Sequence, residues 1–214
     1  MNLVLILASR SKGRKELLQR SGIEFEVIVS NFDEDKITDR NAKSLVKKLS
    51  YKKAEAVVLK ILSKSEECNS NNKVEAVLGC DSLFEFKGEI FGKPRSKEEA
   101  LNRWRRMSSQ SGELHTGHSL MYRNHIGHND FRNRYFNGII SEVISTKVHF
   151  AKLEAPEIAA YVDTDEPMNC AGGFAIEGKG AFFVETIDGC YSNVVGLSLP
   201  WLRKALVKAS LSFI

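Results

Sequence analysis

The hexapeptide Ser9-Arg10-Ser11-Lys12-Gly13-Arg14 stands between an apolar run, Leu3 to Ala8, and a helical pattern that runs to Arg20. The first backbone N–H groups of a helix have no intrahelical partner and carry partial positive charge. Such a turn can hold an anion, and Arg10, Lys12 and Arg14 strengthen it. The G-x-x-x-x-G-K-[ST] spacing of a P-loop is absent. A capped helix with surface charges is the other reading of these residues. Asp81 directly follows an apolar stretch, Glu75 to Cys80, that reads as a buried strand ending there. A carboxylate at a strand end can hold a divalent cation or orient a water, or it can simply close a turn. Lys53 shares a helical face with Val46, Leu49 and Val57, at spacings of three and four. An ammonium there must be paired, or its stem must snorkel to water. Lys93 lies in Gly92-Lys93-Pro94, where the proline stiffens the backbone. Both lysines suit phosphate. Asp33-Glu34-Asp35 adds carboxylates in a polar loop.

Two other patterns do not point to chemistry. His115, His118, His125 and His128 form two H-x-x-H pairs without an H-E-x-x-H or a nearby cysteine set. Their surroundings read as strand and loop, where an i,i+3 pair does not converge. Gly172-Gly173-Phe174-Ala175-Ile176-Glu177-Gly178 is glycine-rich but is not G-x-G-x-x-G, and reads as a tight loop.

The elements that position these residues follow from periodicity. Leu3 to Ala8, Phe25 to Val29 and Glu75 to Cys80 read as strands, and Leu83 to Phe91 as a hairpin turning at Lys87-Gly88. Asn41 to Leu62 reads as a long helix, followed by a polar loop to Lys73. Ser96 and Glu99 have the spacing of a capping box that opens a helix to about Met107. Two longer strands span 117–150 around an insertion from Arg123 to Gly138. Pro156 and Pro200 sit in first helical turns, and the last helix presents Leu202, Ala205, Leu206 and Ala209. Phe182 to Glu185 reads as another strand. Strands mixed with helices along residues 1–214 predict one domain of α/β or α+β class.

Composition bounds the function classes. With 43% hydrophobic and 27% charged residues the chain can build an ordinary core. A formal net charge of +4, mixed in sign, does not suggest nucleic-acid binding. Cys68, Cys80, Cys170 and Cys190 are dispersed and read as free thiols of a reducing compartment. The first apolar run is too short to span a bilayer and has no preceding basic region. A soluble cytoplasmic protein, with no membrane partner, is the expectation.

Taken in order, several segments resemble the Maf family of nucleotide pyrophosphatases. They are Leu7 to Leu18, Leu78-Gly79-Cys80-Asp81-Ser82, Gly88 to Pro94, Met107-Ser108, Thr116-Gly117, Glu166-Pro167, Cys170 to Gly178 and Gly189 to Pro200. The resemblance implies an elongated, bilobal α/β fold with a central mixed sheet flanked by helices, similar to inosine triphosphatases. It implies hydrolysis of nucleoside triphosphates to monophosphate and pyrophosphate with a divalent cation, Mg²⁺ or Mn²⁺, and a homodimer. Ser9, Arg14, Lys53 and Lys93 match its phosphate-facing positions, Asp81 its proton acceptor, and Glu34 with Asp81 its metal ligands. Gly13, Ser82 and Glu177 match positions that sort branches of the family by nucleobase. Glu177 leans toward the 7-methyl-GTP branch, whereas Gly13 and Ser82 fit neither that branch nor the pyrimidine dTTP/UTP branch cleanly.

Overall fold

The computed structural model describes residues 4–67, 74–123 and 136–212. Cys68, His125, His128 and most of the 123–138 insertion lie outside them.

The described residues build a mixed seven-stranded sheet in the order β2-β1-β3-β5-β6-β7, with β4 on β3. The strands are β1 (Leu5–Leu7), β2 (Phe25–Val27), β3 (Ala76–Phe86), β4 (Glu89–Phe91), β5 (Ser111–Tyr122), β6 (Gly138–Phe150) and β7 (Val184–Asp188). Strand β1 pairs in parallel with β2 and β3, and every other pair is antiparallel. The helices are α1 (Lys12–Arg20), α2 (Ala42–Glu67), α3 (Lys97–Met107), α4 (Ala155–Val162), α5 (Tyr191–Val195) and α6 (Leu199–Lys208).

Strands β3, β5 and β6 are each about 40 Å long at ~3.3 Å per residue, long enough to serve two lobes. In the first lobe, strand alternation sends Leu5, Leu7, Leu78 and Leu120 to one face, where Leu18 of α1 and Trp201, Leu202 and Leu206 of α6 cover them. Ile6, Val77 and Met121 point the other way, against Ala54, Val57 and Ile61 of α2. The second lobe is an aromatic core under α3 and α4. Trp104 meets Phe150 and Tyr161 edge-on, both at 5.3 Å between ring centres. Its indole N–H donates to the Gly173 carbonyl at 2.9 Å, which ties the glycine-rich turn to that core.

Helix α2 lies unusually close to the sheet. A β-carbon at Gly79 would stand 2.2 Å from the Ser50 carbonyl oxygen, and one at Gly117 2.1 Å from that of Val46. These two glycines let the α2 backbone approach the middle of β3 and β5, so that a side chain on α2 can reach β3.

Several boundaries differ from the sequence expectation. Strand β3 does not end at Cys80 but runs through Asp81 to Phe86. Helix α2 continues from Ala42 to Glu67, because the polar stretch after Leu62 contains good helix formers. Phe182 and Phe183 belong to a 3₁₀ turn, Lys179–Phe183, and the strand begins at Val184. Ser96 caps α3 as expected, accepting from the Glu99 N–H at 3.1 Å. The Glu99 carboxylate reaches the N–H of Arg95 rather than that of Ser96. Lys87 and Gly88 both have positive φ, 50° and 80°, as a two-residue hairpin turn requires. Among the described residues, no helix is long and apolar enough to cross a membrane.

Candidate active site

Strand β3 is paired with β5 along nearly its whole length, but its other edge is shared. Strand β1 covers that edge up to Leu78, and β4 takes it up at Phe84. Between them, residues 79–83 have no strand on that side. The chain of β1 turns away there, at Ser9, into α1. Asp81 and Ser82 stand in this opening.

Being consecutive strand residues, they face opposite sides. Asp81 faces α2. Its carboxylate accepts a hydrogen bond from the Lys53 ammonium. Lys53 Nζ also lies 2.8 Å from Glu34 Oε1, at the start of the 3₁₀ turn Glu34–Lys36. The Lys53 and Asp81 side chains are only 12% and 9% exposed, whereas that of Glu34 is 55% exposed. Lys53 is therefore paired rather than snorkelled. Burial pushes the Asp81 carboxyl above its ordinary range; Lys53 and then Arg14 oppose that, and Glu34 adds to it.

Ser82 faces the α1 side. Its hydroxyl accepts from Arg14 Nη2 at 2.9 Å and lies 2.9 Å from Thr116 Oγ1. Arg14 is buried and fully engaged. Its Nη1 donates to Ser9 Oγ at 3.0 Å and its Nε to the Gly196 carbonyl at 2.7 Å. Ser11 caps α1, accepting from the Arg14 N–H. The planar guanidinium thus joins the β1–α1 turn, the open stretch of β3 and the turn after α5.

Glu177 comes to the same region from the second lobe. A β-carbon at position 13 would lie 2.6 Å from Glu177 Oε1, so the absence of a side chain at Gly13 lets this exposed carboxylate rest on the start of α1. Desolvation there, aided by Glu166 and Glu16, pushes the Glu177 carboxyl upward. Lys93 is exposed on the loop between β4 and α3. Its charge opposes the shift of the Cys170 thiol, which burial, aided by Glu177 and Glu166, pushes up to about 11.

The nine residues singled out in the sequence therefore fall into three sets: Ser9-Arg14-Ser82, Lys53-Asp81-Glu34, and Glu177 on Gly13, with Lys93 at the rim. Two further contributors were quoted in the sequence without a role. Thr116, opposite Ser82, donates to the Asn193 carbonyl at 3.2 Å. The buried Asn193 amide donates to Ile144 O and Thr146 Oγ1, both at 3.1 Å. The signal for Asn193 is an amide set between Ser192 and the apolar pair Val194-Val195.

Among the described residues, no three His, Cys, Asp or Glu side chains form a ready metal cage. His115 and His118, three apart on β5, point to opposite faces and bond to Ser145 Oγ and the Ser198 N–H. The chemistry of the Glu34–Asp81 pair nevertheless fits a hard divalent cation. Two carboxylates converge on one cationic point, and Mg²⁺ is habitually held by one or two carboxylates completed by substrate phosphates and water.

The fold and site define an α/β protein with a polar opening at the centre of a mixed sheet, lined by an arginine, a paired lysine and a buried carboxylate. The chain belongs to the family described as Maf-like protein, whose profile matches residues 4–209. A relative from Prochlorococcus marinus, named nucleoside triphosphate pyrophosphatase, is 54% identical over 98% of this chain and 99% of its own. One of the same name from Parasynechococcus marenigrum is 47% identical over 95% of this chain and 94% of its own. Among solved structures, the Staphylococcus aureus Ham1 protein is similar at 16% identity and a TM-score of 0.32, over 69% of this chain and 71% of that one.

Proposed function

We propose that this chain hydrolyses nucleoside triphosphates between the α and β phosphates, giving a nucleoside monophosphate and pyrophosphate. The observation that carries the proposal is the adjacency of Asp81 and Ser82 in the opening of β3, one bonded to Lys53 and the other to Arg14. A proton acceptor and two cations thereby stand at one gap. The name shared by relatives about half identical to this chain supports the same activity.

The triphosphate lies in the gap. Arg14, Lys53, Lys93 and the N–H groups at the start of α1 offset its charge. Ser9 and Ser82 hold the guanidinium in place. Asp81 orients a water and takes its proton as the water oxygen attacks the α-phosphorus. The bond from that phosphorus to the bridging oxygen breaks in line, and the electron pair leaves with pyrophosphate. Burial makes Asp81 a stronger base than an ordinary carboxylate, and the Lys53 ammonium opposes that shift. Glu34 and Asp81 would hold Mg²⁺ or Mn²⁺, which would neutralise charge on the leaving group. Positioning and electrostatics account for most of the rate.

Glu177 faces the nucleobase end, where its two oxygens accept from the adjacent N1–H and N2–H of a guanine-type base such as 7-methyl-guanine, whereas the base of dTTP or UTP offers one N–H between two carbonyls. The role is house-cleaning, removing non-standard nucleotides before polymerases use them, in a cytoplasmic homodimer. The test is pyrophosphate release from dTTP, UTP, CTP, ITP, XTP and 7-methyl-GTP, with Mg²⁺ or Mn²⁺ and with a chelator. Metal-dependent release from at least one nucleotide is expected. Release from none would leave a nucleotide-binding regulator of septum formation.

A further inference from the structure

The turn from Ala175 to Gly180, which carries Glu177, belongs to no strand; the Gly178 N–H closes it on the Ala175 carbonyl at 3.2 Å, and one carboxylate ties it from outside. Glu166 Oε1 accepts from the Gly180 N–H at 2.9 Å and from the Tyr161 hydroxyl at 2.8 Å. Its Oε2 accepts from the Lys179 N–H at 2.9 Å. The Tyr161 hydroxyl in turn accepts from the Ala175 N–H at 3.3 Å. Both ends of the turn are thus tied to the Tyr161–Glu166 pair, with Glu177 in the span between them.

The fit leaves no slack. A β-carbon at Gly178 would stand 2.3 Å from Glu166 Oε2, and one at Gly180 2.6 Å from the Tyr161 hydroxyl. The anchor is itself rigid. The Tyr161 ring is buried and packs at 5.3 Å on Trp104 and 4.9 Å on Phe183. Bonds from two successive N–H groups to one ionised carboxylate are charge-assisted and fix direction as well as distance. Glu166 pairs with neither Arg14 nor Lys53, so it does not share in the phosphate arrangement.

We infer that Glu166, with Tyr161 as its partner, is a positioning residue for nucleobase recognition: it sets the 175–180 turn so that the Glu177 carboxylate stands over Gly13 at the start of α1. This rests on the reading that Glu177 faces the nucleobase. A glutamine at 166 keeps the size but replaces one accepting oxygen with NH₂, which cannot accept from a backbone N–H. Either orientation of the amide sets N–H against N–H, and the turn loses at least one of its ties.

The experiment is a double-mutant cycle of Glu166→Gln and Glu177→Gln in the full chain, with the nucleotide panel above. The readout is nucleobase selectivity, the ratio of kcat/KM between the best and the second nucleotide. Selectivity in E166Q should fall about tenfold while kcat on the best nucleotide falls less than about threefold. In the E177Q background the further loss should be under about twofold, because both changes act through one contact. Wild-type selectivity in E166Q, or losses that multiply in the double variant, would overturn the inference. Unchanged selectivity in E177Q would overturn it through its premise. If E166Q does not fold, Tyr161→Phe removes one tie and keeps the ring; a selectivity loss of about threefold is expected, and none would be contrary. Should the wild type release no pyrophosphate, the same cycle is read by calorimetry on the nucleoside monophosphates, so failure of the activity and failure of the positioning role are told apart.

Discussion

The Asp81 carboxylate accepts its hydrogen bond from the Lys53 ammonium with both side chains almost wholly out of water. Two glycines on the sheet allow the helix bearing Lys53 to come this near. Removing one member of such a pair leaves the other buried and uncompensated, at a cost of about 3 kcal/mol. Lys53→Met should therefore lower the urea unfolding free energy by about that amount and abolish pyrophosphate release. Adding Asp81→Asn to Lys53→Met should recover most of the stability and none of the activity. Equal stability of Lys53→Met and wild type would mean that the pair is not formed.

Arg14 uses all three of its nitrogens on three separate elements. A lysine offers one point donor on a flexible stem and cannot reproduce that fork. Arg14→Lys should lower kcat/KM by about 10²-fold, and Ser82→Ala, which removes one of the three bonds, by about tenfold. Steady-state kinetics on the best nucleotide of the panel provides the check.

A methyl group at position 13 would meet the flexible end of Glu177 at 2.6 Å and Val195 Cγ1 at 2.8 Å. The carboxylate can swing away, and alanine favours the helix by about 1 kcal/mol over glycine. Gly13→Ala should remain as stable as wild type to within about 1 kcal/mol but lose nucleobase selectivity, as is expected of Glu177→Gln. An unaltered order of nucleotides would place Glu177 away from the base.

His118 is buried against Trp201, with ring centres 4.6 Å apart, and its Nε2 accepts from the Ser198 N–H at 2.9 Å. Accepting there requires the neutral ring. Burial, reinforced by Arg14, lowers its pKa from 6.5 to about 3. The unfolded chain then takes up this proton first as pH falls. The stability due to the neutral ring is complete above about 6.5 and is lost progressively toward pH 3, by about 5 kcal/mol at most. Urea unfolding between pH 7 and pH 4 should show this decline, and His118→Gln should flatten it.

Much of this arrangement was legible in the residues themselves. A lysine in an apolar helical register had either to be paired or to snorkel, and Lys53 is paired. Ser96, Pro156 and Pro200 mark helix starts because capping and the missing proline N–H act locally. Asp81 was misplaced for a physical reason. The polar pair Asp81-Ser82 reads as the end of a strand, whereas it marks the gap left where β1 departs and β4 has not begun. Which neighbours a strand lacks is a property of the sheet, not of the strand. The same holds for Thr116 and Asn193, whose partners come from β3, β5, β6 and α5. Helix α5, five residues long, is too short to show a helical period. Glu166 and Glu177 lie in turns whose shape is set by each other.

The most direct test of the site is Asp81→Asn. The substitution keeps the size but removes the charge and one accepting oxygen, and it cannot take a proton from water. Pyrophosphate release should fall by about 10²–10⁴-fold, or roughly 3–5 kcal/mol in the barrier, while calorimetry shows the nucleotide still bound. A folded Asp81→Asn protein that releases pyrophosphate at the wild-type rate would contradict the assignment of Asp81 as the base.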